Sequence, residues 1–423
     1  MKPVLHIEIL QKPCSYAAKD RVLEFVRPFL MNYVTLCPGH TLASFDHCPF
    51  LKENVQLITF CEAETDTPIT ATEADLIFHV YKLDSFGVET NTMTDSGTGE
   101  EFPIAHIWAL PSQEFHGLWE TLIYEDQLKQ DTVRFVETAF EFADHGVDSN
   151  IIGWNRVVLF HGPPGTGKTS LCRALAQKLS IRLSERFSQA RLVEINAHAL
   201  FSKWFAESGK CVSRLFEQLG EILANRRALV CVLVDEVESL AHARRASLSG
   251  LEPSDSIRAV NALLTQLDRL RCQPNVLVLT TSNVTGAIDV AFVDRADIKR
   301  RIGPPSASAA YTILRSCCNE LMTCGLVMPR EPLFELSALE AVRFTDIVPA
   351  RPSLRLWEVA CGAARHGLSG RALRRLPFIA RALHMRHDKS LPAFLTALAA
   401  ALSGHVADVA ALDDGTPPQP SSD

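Results

Sequence analysis

The chain has no excess of basic charge. Its 42 Lys and Arg face 49 Asp and Glu, leaving a net charge of −7. Sequence-independent binding to nucleic acid needs a basic face to displace counterions, so that class is disfavoured, with room left for a local basic patch. A long apolar run is also missing: Ala228–Val234 is among the longest clean ones, far below the roughly 20 residues that span a bilayer. Met1–Leu10 carries His6 and Glu8 inside its apolar stretch, which breaks the pattern of a secretory signal. The 12 cysteines are scattered. Their one cluster, Cys317, Cys318 and Cys324, has no CxxC partner and no histidine at zinc-ligand spacing, so it reads as helix packing. Reduced thiols and the missing signal together predict a soluble, intracellular protein. No internal repeat is visible.

What is present is ordinary globular material: 423 residues, 47% apolar and 22% charged, enough for two or three domains. Residues 1–110 read as a small α/β unit. Val4–Ile9, Val55–Phe60 and Leu76–Tyr81 have strand composition, and Val22, Phe25, Val26, Phe29 and Leu30 have helical spacing. Glu89–Glu101, polar and rich in Gly and Thr, predicts a mobile loop. His116–Glu125 reads as a linker and Leu128–Ala143 as a helix. From Arg156 to about Ile302, within a domain taken as 111–305, apolar strands alternate with helices, the pattern of a parallel sheet covered by helices. Residues 306–410 are helical throughout, and the Pro-, Ser- and Asp-rich tail 411–423 predicts disorder.

Val157–Phe160 runs directly into Gly162-Pro163-Pro164-Gly165-Thr166-Gly167-Lys168-Thr169, with Ser170 opening a helix. This is GxxxxGK[ST] between a strand and a helix, the context that makes the match specific. The glycines let backbone N–H groups converge on a phosphate, and the helix N-terminus adds positive potential there. Lys168 is then the cation for the β- and γ-phosphates and Thr169 a hydroxyl ligand for Mg²⁺. Leu229–Val234 reads as a strand buried on both faces and ends in Asp235-Glu236, where open α/β sheets bind ligands. Asp235 is the candidate acid on the metal side and Glu236 the candidate base for the attacking water; the alternative is a solvated acidic turn. Val276–Thr281 ends in Ser282-Asn283, and the Asn283 amide could hold that water or cap the next turn. Trp204 and Phe205 are adjacent aromatics in a polar loop containing Gly209, either exposed for binding or buried locally.

The order of these parts, with an arginine segment at Asp294-Arg295-Ala296-Asp297-Ile298-Lys299-Arg300-Arg301 and a helical lid after it, resembles the AAA+ ATPases. More narrowly, several stretches resemble the pachytene checkpoint protein 2 family, also called the thyroid receptor-interacting protein 13 family. They include Glu114-Phe115-His116-Gly117-Leu118-Trp119, Trp154-Asn155-Arg156-Val157-Val158, Phe201-Ser202-Lys203-Trp204-Phe205, Asp235-Glu236-Val237-Glu238-Ser239-Leu240 and Gly367-Leu368-Ser369-Gly370-Arg371. The likeness is dense from 114 to 383 and thins after 400; Val348–Leu356 and Ala393–Ala411 depart from it.

The resemblance implies an AAA+ large domain and lid after a small N-terminal domain that recognises substrate or adaptor. It implies a hexameric ring that uses ATP to convert HORMA-domain proteins from a closed to an open state, in the nucleus and cytoplasm, in meiotic or spindle checkpoint control. Arg295 matches the arginine finger reaching a neighbour's ATP, although Arg300 and Arg301 crowd the same segment. Arg371 matches the sensor arginine of the lid. Trp204 and Phe205 match a pore loop that grips the threaded chain. The other class compatible with such a core is a nucleic-acid motor, such as a clamp loader or helicase. The acidic charge and the aromatic loop disfavour it.

Overall fold

A computed structural model describes every residue except 1, 32–34, 64–68, 95–100, 126, 149, 197–207, 240–254, 272, 285–287, 289, 386–387 and 415–423. The chain forms two units: residues 1–119, 129–160 and 169–300 make the first, and 120–128, 161–168 and 301–423 the second.

The first unit opens with β1 (Val4–Gln11), α1 (Lys19–Met31), β2 (Thr41–Leu42), α2 (Pro49–Asn54), β3 (Val55–Ala63) and β4 (Asp75–Tyr81). These strands form a sheet in the order β2-β3-β1-β4. β1 lies antiparallel to β3 and parallel to β4, with Ile9 opposite both Ile58 and Val80. Leu5, Ile7 and Ile9 alternate along β1 and share a core with Val22, Val26 and Leu30, which recur every fourth residue along α1. Each strand and the helix expected here are therefore present. His6 and Glu8 fall on the other pleat of β1. Glu8 is nevertheless buried, because its carboxylate meets Lys178 of a later helix at 2.6 Å.

The segment after β4 corrects the sequence reading. Of the segment expected as a mobile loop, Glu89–Thr94 is strand β5, which pairs antiparallel with β6 (Glu101–Leu110), while 95–100 lie outside the described residues. Both strands join the second sheet and not the first, so the small sheet ends at Tyr81 and the expected boundary at 110 falls after strands of the larger sheet. β5 is the edge strand, where backbone pairing suffices and no apolar alternation is required, so its Thr-rich, polar sequence gives no core pattern.

The expected linker holds α3 (Leu118–Thr121), with Trp119 buried. Then come α4 (Leu128–Asp144), β7 (Val157–His161), α5 (Lys168–Arg182), β8 (Gln189–Asn196), α6 (Ser208–Ala224), β9 (Ala228–Asp235), α7 (Asp255–Leu270), β10 (Val276–Ser282), α8 (Val290–Val293) and β11 (Ile298–Arg301). The strand order is β11-β7-β10-β9-β8-β6-β5. β8, β9 and β10 run parallel, with Cys231 of β9 between Leu192 and Leu277. Every residue from Ala228 to Val234 is buried, as a strand covered on both faces demands. Buried Arg156 ties β7 to its neighbours by donating to the carbonyls of Val276 at 3.1 Å and Gln273 at 2.6 Å. Asp297, within the arginine segment, accepts the N–H groups of Asn155 and Val157. Arg156 and Asp297 thus serve the fold.

After β11, the second unit consists of α9 (Ala307–Thr323), α10 (Leu336–Ala341), α11 (Arg351–Arg365), α12 (Gly370–Ile379), a π-helical turn (Ala380–His384) and α13 (Leu391–Asp414). Leu314 and Cys318 of α9, Leu356 and Ala360 of α11, and Phe394 and Leu398 of α13 share its core. Pro349 sits in a 3₁₀ turn and Pro352 in the first turn of α11, where proline has no hydrogen bond to lose. Residues 391–411 are long and apolar enough to cross a membrane by length and composition, but Leu391, Phe394, Leu398 and Ala401 are packed in this core. Burial pushes the Cys318 thiol up to about 12, which keeps it inert. Cys324 departs from the packing expectation: it caps the end of α9 and is exposed. The expected disordered tail begins too early, since α13 runs on to Asp414.

Candidate active site

Between β7 and α5 the chain turns through Gly162–Gly167. Three glycines carry the turn with φ of +141° at Gly162, +77° at Gly165 and +94° at Gly167, a region that side chains strain. Space is short as well. A Cβ on Gly162 would strike the carbonyl of Ile302, and one on Gly165 would lie 2.8 Å from Ser369 Oγ. Thr166 Oγ1 donates to Pro163 O at 3.0 Å, and Lys168 Nζ donates to the carbonyls of Gly162 and Pro163 at 2.9 and 2.8 Å. Lys168 is buried, so its ammonium is held at the loop and not in solvent. Loop glycines, a helix start and a captive lysine are the parts that bind phosphate.

The lid reaches this loop through its own backbone. Ser369 caps α12 by accepting from Ala372 N at 3.2 Å. The Arg371 N–H donates to Gly165 O at 3.0 Å, which puts Arg371 in the helix turn that touches the phosphate loop. Tyr124 Oη lies 3.5 and 3.4 Å from the carbonyls of Thr166 and Gly167. In sequence Tyr124 is one residue of a linker, and no spacing rule marks it. Burial, with Arg301 and Lys168 nearby, holds the His161 imidazole below its ordinary range.

In the first unit, Thr169 Oγ1 donates to Asp235 Oδ1 at 2.9 Å, and Thr281 Oγ1 donates to the same oxygen. Thr281 Oγ1 also accepts the N–H of Glu236 at 3.2 Å. Glu236 adopts φ +58°, a conformation that costs energy in a residue with a Cβ and is held here by its neighbours. Asn283 Nδ2 reaches Glu236 Oε1 at 3.4 Å. Thr169, Asp235, Glu236 and Asn283, from three separate motifs, thus stand in one hydrogen-bonded chain. Thr281, which joins two of them, shows in the sequence only as the end of an apolar strand.

The donor set fits Mg²⁺. Among the described residues no three His, Cys, Asp or Glu side chains gather as a metal site. An ion here would rest on one carboxylate, one hydroxyl and substrate phosphates, as Mg²⁺ commonly does. Arg295 lies apart from this chain of bonds. Its guanidinium is bidentate to Asp268, 2.8 Å from each carboxylate oxygen, and not paired with Asp294 or Asp297. Arg300 pairs with Asp131 at 3.3 Å on the surface. Trp204 and Phe205 lie outside the described residues.

A mostly parallel sheet with a glycine phosphate loop, an Asp-Glu strand end, an Asn strand end and a helical lid defines a P-loop ATPase of the AAA type. The family model for AAA, "ATPase family associated with various cellular activities", matches residues 158–304. "TRIP13-like, AAA+ ATPase lid C-terminal domain" matches 306–406, and "TRIP13 N-terminal domain" matches 1–85. The pachytene checkpoint protein 2 homolog of Canis lupus familiaris is 46% identical over 405 residues, 95% of this chain and 93% of that one. The Homo sapiens homolog is 45% identical over 405 residues, with the same two coverages. A solved structure of C. elegans PCH-2 matches with a TM-score of 0.75 at 34% identity, covering 96% of this chain and 99% of that one. The chain belongs to the pachytene checkpoint protein 2 (TRIP13) family, and it is an ATPase. A solved E. coli HORMA:CdnC:Trip13 complex contains a chain of the same fold, with a TM-score of 0.51 at 18% identity over 69% of this chain and 93% of that one.

Proposed function

We infer that this ATPase remodels HORMA-domain proteins, converting them from a closed to an open state. The bonds joining Thr169, Asp235, Glu236 and Asn283 carry the hydrolytic half of this reading. Lys168 neutralises the β- and γ-phosphates of ATP. Thr169 and Asp235 hold Mg²⁺, which would spread phosphate charge in the transition state. Glu236 polarises the attacking water, and Asn283 keeps the carboxylate and that water in line. Arg371 acts on the γ-phosphate within the subunit, and Arg295 acts on the neighbour's.

Likeness over nearly the whole chain to the pachytene checkpoint protein 2 homologs supports the remodelling half. So does the HORMA protein that accompanies Trip13 in the E. coli complex. The working form is a homo-hexamer, with residues 1–85 recognising substrate or an adaptor and the Trp204-Phe205 loop gripping the substrate in the pore. The setting is the nucleus and cytoplasm, in meiotic chromosome and spindle checkpoint control.

A pull-down tests the reading. Glu236→Gln protein with ATP should retain a closed HORMA-domain protein, and the same protein with ADP should not. Equal recovery with both nucleotides, or ATPase stimulation by DNA and not by HORMA proteins, would overturn it.

A further inference from the structure

Two carboxylates are buried among the described residues, Glu8 and Glu238. Glu8 has a cationic partner in Lys178. Glu238 spends one oxygen on a neutral one: its Oε1 accepts the backbone N–H of Asn283 at 3.1 Å. Its other oxygen is buried with no hydrogen-bond partner among the described residues. A buried carboxylate is costly to keep where an apolar side chain would pack as well, and more so when half of it is unpaired.

The place of that bond gives it a use. Asn283 is the first residue beyond β10, so its own N–H is past the end of the sheet ladder. Its side chain then reaches Glu236 Oε1 at 3.4 Å, a long contact at which a small displacement decides whether a bond exists. Glu236 is itself in a strained conformation, with its N–H on Thr281 and its carbonyl accepting from Ser239 N at 3.1 Å and Ser239 Oγ at 2.7 Å. The backbone around Glu236 is therefore pinned, and Asn283 is the hydrogen-bond donor that meets its carboxylate among the described residues. What sets the height of Asn283 is Glu238, two residues beyond Glu236 on the same turn.

We propose that Glu238 is a positioning residue for ATP hydrolysis: by holding the Asn283 backbone, it fixes the reach of the Asn283 amide to the Glu236 carboxylate. The proposal rests on the reading that Asn283 and Glu236 act on the attacking water. It assigns Glu238 no contact with nucleotide. The bond needs an acceptor at the right distance, not a charge.

Steady-state ATPase assays on the full chain separate these terms, with Kd for a fluorescent ATP analogue measured alongside. Glu238→Leu should lose on the order of tenfold to a hundredfold in kcat, the scale of a misplaced catalytic group, with KM and Kd nearly unchanged. Glu238→Asp keeps the charge but shortens the arm and should show the same split, which preserves the test if Glu238→Leu does not fold. Glu238→Gln keeps an acceptor oxygen at full length and should restore most of the lost turnover. In the Asn283→Ala background, Glu238→Leu should cost nothing further, since both changes remove one device. Losses that multiply in the double variant would overturn the proposal, as would Glu238→Gln as inactive as Glu238→Leu, or an effect on KM alone. Normal turnover in Asn283→Ala would remove the reading itself. An inactive Asn283→Ala beside a normal Glu238→Leu would overturn only the role of Glu238.

Discussion

Arg295 is gripped by Asp268 of its own subunit, guanidinium to carboxylate, with both oxygens at 2.8 Å. A planar fork held this way has its direction fixed before any neighbour arrives, so little rotamer freedom is left to lose on assembly. Arg295→Ala should lower turnover by about 10³- to 10⁵-fold, the range found for arginine fingers, while each subunit still binds ATP. In the proposed ring the interface would be heterologous, so that one subunit's finger would complete the next subunit's site. Mixing inactive Arg295→Ala with inactive Glu236→Gln should therefore restore measurable phosphate release. A mixture that stays inactive despite shown co-assembly, with Arg300→Ala equally inactive, would move the finger elsewhere.

Glu236→Gln and Lys168→Ala should fail in different ways. The amide keeps the shape of the Glu236 side chain and its bond to Asn283, but it cannot take a proton. ATP should bind normally and turnover should fall by about 10²- to 10⁴-fold. Lys168→Ala removes a buried cation at the loop and should weaken ATP binding first. Fluorescent-nucleotide titration beside phosphate release distinguishes them; unchanged ATP affinity in Lys168→Ala would contradict its phosphate role.

Local signals make most of the site legible in the sequence. The glycines of the phosphate loop are fixed by φ and by crowding against Ile302 and Ser369, Asp235 by ending a strand that is apolar up to it, and Asn283 by following a strand that opens with four apolar residues. β5 and β6 are not legible as part of the larger sheet, because which sheet a polar strand joins depends on a partner, here β8, about 80 residues away. Asp268 escapes notice for a related reason. It sits in an amphipathic helix as one more polar residue, and nothing near it in sequence announces Arg295. Glu238 and Thr281 read as parts of a motif and a strand, since hydrogen bonds between strand ends leave no periodic trace.

Trp204→Ala should uncouple ATP use from remodelling. An indole offers a large apolar area to any backbone in a pore, a grip that tolerates any sequence. Basal ATP hydrolysis should persist while conversion of a closed HORMA-domain protein falls steeply, with melting temperature unchanged. Loss of stability and ATPase together would instead assign Trp204 to local packing.

His6 and His79 should make the fold sensitive to acid. His6 Nδ1 and His79 Nε2 lie 3.0 Å apart. Burial, aided by nearby Arg182 and Lys178, holds His6 down at about 3 and His79 at about 4. The unfolded chain takes up these protons near pH 6.5, while the folded chain refuses them until far lower. Stability is then complete above about pH 6.5 and falls as the pH drops towards 4. The urea midpoint should decline across that window, and His79→Phe should flatten the decline. An equal slope in wild type and variant would place the acid-sensitive groups elsewhere.

The contact between Glu8 and Lys178 sets how far the N-terminal sheet can be separated from the ATPase. The two charges meet at 2.6 Å with both side chains about 95% buried, and Lys178 also donates to Cys61 Sγ at 3.2 Å. Lys178 lies on α5, the helix that the phosphate loop opens. Burial alone would push the Glu8 carboxyl up; the Lys178 ammonium more than offsets it and holds Glu8 below its usual range, while Glu8 in turn holds Lys178 up. Removing one partner leaves the other charge buried alone, so Glu8→Ala should cost about 3–5 kcal/mol. Replacing both, as Glu8→Leu with Lys178→Met, should recover most of that, since the charges need only be absent together. Deleting residues 1–105 should therefore harm the ATPase on two counts. The deletion strips Glu8 from Lys178, and it removes β5 and part of β6, which uncovers the pairing edge of β8. The deleted protein should aggregate or lose nucleotide binding, whereas deletion of 1–85 with Lys178→Met should stay soluble and bind ATP. Size-exclusion chromatography and ATP titration on both proteins decide it: a soluble, ATP-binding 106–423 chain with Lys178 intact would show that neither the ion pair nor the β6–β8 pairing supports the ATPase core.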